Sequence, residues 1–352
     1  MHLSQTNDMK FLITGGAGFL GFHLIKRLLK DKHTVSVLDR NDIIESDLQK
    51  KVNFFKGDVR DSKLVDQAAK DQDFIIHAAA SLPLEPAQQI TTTTIQGTQN
   101  ILESASKHHV KRTIYISSTA VYGIPDHHPL FETDPVQGVG PYGIAKIEAE
   151  RLCNQAKSQG MVVPIIRPKT FIGTERLGVF QILFNWVRLG KRIPIIGDGN
   201  NRYQLLEVED LVDAIMILST SKSTKINDTF NIGAEKYQTV NQDVGALCTH
   251  AGNGSRVFPV PAIIAKPALR ALDALHLSPL YKWVYETADK DSFVSIDKLK
   301  STGWRPKRSN VQTLINTYDW YLKHYTEVEN TVGTTHRVGW DQGVIGIIKK
   351  FM

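Results

Sequence analysis

The sequence predicts an α/β fold: a doubly wound parallel sheet in one large domain, followed by a smaller C-terminal lobe. Three observations predict it. The stretch Lys10-Phe-Leu-Ile-Thr-Gly15-Gly-Ala-Gly18-Phe-Leu-Gly21 joins an apolar run of strand length to a glycine cluster and then to an amphipathic run reaching Leu29. A second apolar run, Thr34-Val-Ser-Val-Leu38, follows and ends in Asp39. Strand-like and helix-like runs then keep alternating, and 352 residues suffice for a large α/β domain with an appended lobe.

The first unit reads as strand, glycine turn and helix. Gly15 can take the tight turn without a Cβ penalty. Gly18 lets a pyrophosphate approach the backbone, and Gly21 lets the helix pack tightly on the strand. Phe19 and Leu20 open that helix, so phosphates would meet its N–H groups and positive dipole end. This arrangement predicts dinucleotide binding. Asp39 can bind both ribose hydroxyls of NAD and repel a 2′-phosphate, whereas its neighbour Arg40 could accept one. NAD is therefore the expected cofactor, ahead of NADP.

The third strand, Val52 to Val59, ends in Gly57-Asp58-Val59. Asp58 there can bind an adenine amino group, or cap the helix starting near Ser62. The fourth strand, Asp73 to Ala80, ends in Ala78, Ala79 and Ala80, whose small side chains leave room for a flat cofactor. His77 within it reads as a packed strand residue. A helix from Gln88 to Lys107 follows. The fifth strand starts at Arg112 and runs into Ser117, Ser118 and Thr119.

Pro141 suits the first position of the next helix. Tyr142 and Lys146, four apart, share one face of it. A fixed ammonium favours the phenolate and would lower the tyrosine pKa from about 10. Such a tyrosine can exchange a proton with a substrate hydroxyl while a hydride moves to or from nicotinamide. Ser118, at a strand end, could hydrogen-bond the same hydroxyl.

Hydrophobic residues make up 41% and charged residues 22% of the chain, ordinary for a globular protein. The net charge of +6 is spread along the chain and suits anionic ligands. No basic stretch is interleaved with aromatics, so no nucleic-acid partner is expected. Cys153 and Cys248 have no metal-type spacing, and no metal site is expected. Met1 to Met9 lacks an apolar core of signal-peptide length, and a cytoplasmic setting is expected.

The order of these pieces resembles the short-chain dehydrogenase/reductase superfamily, in its extended branch of NAD-dependent epimerases and dehydratases, similar to UDP-glucose 4-epimerase. The likeness covers about residues 10–325. It rests on Gly15, Gly18 and Gly21, Asp39, Asp58-Val59, His77 to Ala80, Ser117-Ser118 before Val121-Tyr122-Gly123, and Tyr142 with Lys146. It continues through Ile166-Arg167-Pro168, Gly197-Asp198-Gly199, Val208-Glu-Asp210, Asn231-Ile-Gly233 and Gly303-Trp-Arg-Pro306. The resemblance implies a Rossmann sheet of about seven strands over residues 1–168. A mainly substrate-binding lobe would follow over 169–325, with the chain crossing back to the core near 206–232, and then a tail, 326–352. It implies Ser118, Tyr142 and Lys146 as the catalytic trio, with Tyr142 and Lys146 also on the cofactor, and a homodimer. Substrate-side candidates are Ser118, Thr119, Thr170, Arg202 and Tyr203. Asp210 is read as a structural residue of its helix.

Four features depart from that branch. Thr94 stands where asparagine usually helps to hold the active-site loop. Tyr203 stands where an arginine clamps the diphosphate of sugar nucleotides; Arg202 is one place early, and in an extended segment that turns its side chain to the other face. A second phosphate arginine has no match in Tyr285 to Asp291, where Lys290 is a weak substitute. Thr119 and Ala120 replace the Asp and Glu of sugar 4,6-dehydratases, which argues against dehydration.

The expected function is an NAD-dependent sugar-nucleotide epimerase. The alternative is a dehydrogenase or reductase of a hydrophobic alcohol or ketone, like 3β-hydroxysteroid dehydrogenase and dihydroflavonol reductase. That alternative draws on the apolar segment Pro261 to His276, which could line a greasy pocket or simply pack the lobe. The tail mixes Trp340, Ile345, Ile348 and Phe351 with Lys349 and Lys350; it could pack on a partner subunit or on the body, lie on an anionic membrane, or be loose.

Overall fold

Apolar runs become parallel strands covered on both faces, which is why they read as nearly continuous hydrophobic sequence. The structure, a computed structural model, describes residues 8–83, 85–175, 177–274 and 282–329, and the backbone of 332–333 and 339–340. The first half runs β1 (Lys10–Thr14), α1 (Phe19–Lys30), β2 (Thr34–Asp39), α2 (Ser46–Gln49), β3 (Asn53–Lys56), α3 (Ser62–Ala69), β4 (Phe74–His77), α4 (Ala87–Lys107) and β5 (Arg112–Ile116). A short turn of helix, Thr119–Tyr122, then leads to α5 (Gly140–Ser158) and β6 (Ile165–Pro168).

The second half runs β7 (Phe171–Ile172), α6 (Phe180–Arg188), β8 (Arg192–Ile196), β9 (Leu206–Glu207), α7 (Val208–Thr220), β10 (Thr229–Ile232), α8 (Val240–Ala251) and β11 (Arg256–Val260). It ends with α9 (Ala262–Ala274), α10 (Lys282–Thr287), α11 (Asp297–Lys300) and α12 (Asn310–Glu329).

Seven strands form one sheet in the order β10-β6-β5-β4-β1-β2-β3, with every pairing parallel. Alternate residues of each strand face opposite layers. Phe11 and Ile13 join a core with Leu24 and Leu28 of α1 and Leu211 and Ile215 of α7. Leu12 joins Val65 of α3 and Ile101 of α4 on the other side. The strand order reverses between β1 and β4, where Thr14 lies in register with His77. A crevice at such a switch point, beyond the carboxyl ends of the strands, is where ligands bind in these sheets.

A second core gathers Ile172, Phe184, Trp186, Leu247, Leu314, Tyr318 and Tyr321 from around α6, α8 and α12. Thr239 and Gln242 form a capping box at the start of α8, and Gly252 ends it in the left-handed conformation. Asp210 is 2% exposed, and its carboxylate accepts the Lys307 and Arg308 amides at 3.0 and 3.2 Å. Trp304 Nε1 donates to the Asp210 carbonyl at 3.0 Å. Asp210 thus pins the Gly303-to-Pro306 segment onto α7, while Glu207 occupies the N-cap.

The segment from Pro261 differs from its sequence reading. No residue of α9 is buried, and Ile263 and Ile264 are 84% and 63% exposed. Ion pairs fasten the helix: Lys266 reaches Asp289 at 2.7 Å and Arg270 reaches Glu286 at 2.5 Å. Its amphipathic pattern marks a half-covered surface helix, with the two isoleucines exposed. The end of that segment, 275–276, and almost all of the tail beyond Glu329 lie outside the described residues. Among the described residues no helix is long and apolar enough to cross a membrane.

Candidate active site

The glycine turn fixes the floor of the crevice. Gly15 has φ +74°, and a Cβ there would lie 2.8 Å from the Ala79 nitrogen. Only glycine therefore lets the ends of β1 and β4 meet so closely. A Cβ on Gly21 would fall 2.4 Å from both the Gly15 oxygen and the Gly16 Cα. The helix thus packs on the glycine turn itself, a correction to the expectation that Gly21 packs on the strand. Gly18 accepts the first helical bond, from the Phe22 amide at 3.0 Å, and has no side chain to cap the helix. Phe19 stacks on Phe171 at 5.6 Å and Leu20 is buried, which holds this first turn over the crevice. Its amides point out of the helix end, the usual anion-receiving geometry.

Asp39 closes one side. Its carboxylate accepts the Ala17 amide at 2.9 Å and the Asn41 amide at 2.8 Å, so it faces the glycine turn from the end of β2. Arg40 is half-exposed, 3.8 Å from Asp58. Asp58 is held by Arg60, through Nη2 at 2.7 Å and the backbone amide at 2.9 Å. Burial works against the charge of Asp58, but the Arg60 hydrogen bonds outweigh it and hold the carboxyl below its usual range. The cap of α3 is Asp61, which accepts from the Lys63 and Leu64 amides, so the capping alternative for Asp58 fails. Val59 is buried against Gly97, where a Cβ would stand 2.6 Å from the valine methyl. Ala78, Ala79 and Ala80 are half-buried along the edge.

His77 is packed, as its strand setting suggested. Thr14 Oγ1 accepts the Ala79 amide at 3.3 Å and lies 2.7 Å from His77 Nδ1. His77 Nε2 lies 3.1 Å from Thr98 Oγ1, which donates to the Thr94 carbonyl at 2.6 Å. Those directions put the imidazole proton on Nε2. Burial, aided by the Lys146 charge, lowers the His77 pKa to about 3. The Thr94 hydroxyl itself has no partner among the described residues, so Thr94 contributes its carbonyl here and no side-chain bond.

Ser118, Tyr142 and Lys146 come together beyond β5. Ser118 Oγ accepts the Ala120 amide at 3.1 Å and lies near enough to Tyr142 to draw its phenol pKa down. Lys146 is 3% exposed, and its Nζ donates to the Ile116 carbonyl at 2.7 Å. The same nitrogen stands 5.9 Å from the Tyr142 ring centre and 5.0 Å from that of Tyr115. Burial pushes the Lys146 ammonium down to about 8, against the pull of Glu150. Burial also pushes the Tyr142 phenol up, with Ser118 drawing it partly back. This corrects the expected lowering by Lys146: the shared helix face is present, but the ammonium is turned to a carbonyl and desolvation dominates.

A buried polar network backs this trio. Ser117 Oγ donates to Glu150 Oε1 at 2.5 Å, and Glu150 pairs with Arg167 through bonds of 2.6 and 2.9 Å. Arg167 Nη1 donates to the Tyr122 hydroxyl at 2.8 Å, which donates to Asn231 Oδ1 at 2.8 Å. The motif residues Arg167, Tyr122 and Asn231 thus tie α5, β6, β10 and the Ser118 turn into one unit.

On the substrate side, Thr119 Oγ1 donates to the Pro168 carbonyl at 3.3 Å. Thr170 Oγ1 and the Tyr203 hydroxyl are 2.7 Å apart. Arg202 turns to the other side, 3.3 Å from Asp291 and stacked at 4.2 Å on Phe293. The alternation expected for a one-residue slip is present, and Arg202 does not join Tyr203 and Thr170. Sequence reading passed over Lys169, which reaches Ser292 Oγ at 2.6 Å and lies 5.0 Å from the Tyr203 ring centre. Its signal is a lysine straight after a fully buried strand. Among the described residues no group of three or more His, Cys, Asp and Glu side chains could hold a metal.

The doubly wound sheet, the glycine turn with its acidic strand end and the hydroxyl-lined edge define a nucleotide-dependent short-chain dehydrogenase/reductase-like enzyme. Residues 11–233 match the NAD dependent epimerase/dehydratase family, and the chain belongs to that family. Its relatives include a Sinorhizobium fredii protein designated y4nG, 33% identical over 96% of this chain and 85% of that one. UDP-glucose 4-epimerase of Lactobacillus helveticus is 27% identical over 90% of this chain and 98% of that one. Bordetella bronchiseptica WbmG, solved in complex with NAD and UDP, superposes with a TM-score of 0.74 at 21% identity, covering 96% and 100% of the two chains.

Proposed function

We propose that the protein is an NAD-dependent sugar-nucleotide 4-epimerase. The observation that carries this reading is the convergence of Ser118, Tyr142 and Lys146, with Lys146 Nζ 5.9 Å from the Tyr142 ring centre and Ser118 near enough to draw on the phenol, beside the crevice of Gly15 and Asp39. The crevice residues fit the cofactor: a Cβ-free turn, an uncapped helix N-terminus for phosphates, and a carboxylate for ribose hydroxyls. When bound, NAD supplies reversible hydride acceptance. Tyr142 would act as the phenolate, its charge offset by Lys146 and by the positive nicotinamide that bound NAD would bring, accepting the proton of the substrate hydroxyl as hydride leaves and returning it as hydride comes back. Ser118 orients both hydroxyls, and Lys146 holds positive charge beside them. The UDP-sugar epimerase among the relatives supports the choice of substrate class. Thr119 and Ala120 provide no acid or base for elimination, which favours epimerisation over dehydration.

Incubation with NAD and UDP-glucose should yield UDP-galactose, followed by proton NMR of the anomeric signals, with no lasting rise in NADH absorbance. Stoichiometric accumulation of NADH with an alcohol substrate would replace this reading with the net dehydrogenase. One observation favours that alternative: Tyr203 and Thr170 pair through their hydroxyls, and the adjacent Arg202 is turned to Asp291.

A further inference from the structure

Lys169 follows β6 directly, and its amide donates to the Ile232 carbonyl at 2.9 Å. The carbonyl of the preceding residue, Pro168, accepts the hydroxyl of Thr119, the neighbour of Ser118. Lys169 therefore stands at the same sheet edge as the reacting hydroxyls, one strand over. It is 4% exposed. An ammonium has three donors, and here one goes to Ser292 Oγ at 2.6 Å. Its other neighbour is the Tyr203 ring. Among the described residues no carboxylate pairs with it. Burial alone pushes it down to about 7. Arg202 is committed to Asp291, and His128, the titratable group that feels the Lys169 charge, is kept below its ordinary pKa chiefly by burial.

A desolvated ammonium without a counter-ion is costly to keep. The Ser292 hydroxyl is bonded to it, and the Tyr203 ring beside it carries a hydroxyl that is paired with that of Thr170. We propose that Lys169 is a substrate-specificity residue that receives an oxyanion of the substrate, a phosphoryl or a carboxylate oxygen, with these hydroxyls as companion donors. The assignment rests on the reading of this cleft as the substrate site. It gives the cleft the cation that Arg202 does not supply, and it makes anionic substrates preferred over neutral alcohols.

The test is calorimetric titration of the full NAD-loaded protein with UDP, pyrophosphate and glucuronate, comparing wild type with Lys169→Met and Lys169→Arg. Loss of a charge-assisted bond predicts a roughly ten- to hundredfold weaker affinity in Lys169→Met. Lys169→Arg should retain most of the affinity, and NAD affinity should stay within about twofold in both, since the loss expected is confined to the oxyanion bond. Loss with UDP and pyrophosphate supports a phosphoryl partner; loss confined to glucuronate supports a carboxylate partner. Equal affinities in wild type and Lys169→Met, or no binding of any of the three to wild type, overturn the proposal. Should Lys169→Met fail to fold, protection of Lys169 in the wild type from reductive methylation by the same anions gives the answer, and unchanged labelling overturns it. If no UDP-sugar were interconverted while pyrophosphate binding still depended on Lys169, the epimerase reading would fall and the oxyanion site would stand.

Discussion

Tyr142→Phe should lower kcat/KM for UDP-sugar interconversion by about 10²–10⁴-fold, the range of a lost general acid–base. The ring would stay in place on α5, so NAD binding should change little. The group removed is the hydroxyl that Ser118 draws on. Steady-state rates with a fluorescence titration of NAD separate the effects, since a chemical defect with intact binding lowers kcat. Near-normal turnover would remove Tyr142 from the reaction and with it the proposed mechanism.

Arg167→Met should destabilise the fold by about 3–5 kcal/mol, the cost of leaving a buried charge without its partner. Arg167 and Glu150 are 6% and 4% exposed, and Arg167 also donates to the Tyr122 hydroxyl. Methionine keeps much of the volume, so the loss would report the unpaired Glu150 carboxylate more than a cavity. Adding Glu150→Gln should restore part of the stability, because a neutral amide is cheaper to bury than a lone carboxylate. Urea denaturation of the two variants measures both steps. A single-variant effect within about 0.5 kcal/mol, the range of an ordinary surface change, would mean that the network does not hold these elements together.

The sheet was legible because its strands are covered on both faces and so appear as uninterrupted apolar runs, Phe11 to Ile13 being the plainest. Helix faces were legible from spacing: Tyr142 and Lys146 do lie on one side of α5. What spacing cannot reveal is desolvation. The direction of the Tyr142 shift depends on burial and on where the Lys146 ammonium turns, and both are tertiary facts. Likewise Asp58 and Asp61 are equivalent capping candidates in the sequence, and only the position of Arg60 separates them. The opposite orientations of Arg202 and Tyr203 were legible, since extended backbone alternates by rule. Lys169 was not, because its interest lies in the lack of a counter-charge among the described residues, which no local pattern encodes. The apolar residues of α9 misled in the other direction, since Ile263 and Ile264 face solvent.

The threonine–histidine chain across the seam of β1 and β4 builds acid sensitivity into this crevice. In the native state the His77 ring refuses a proton until pH falls to about 3, whereas an unfolded histidine accepts one near 6.5. The unfolded chain therefore binds more protons between those values, and native stability drains away as the medium is acidified through that window. Above it His77 stays neutral, so the acid-side loss from this seam is confined to that window.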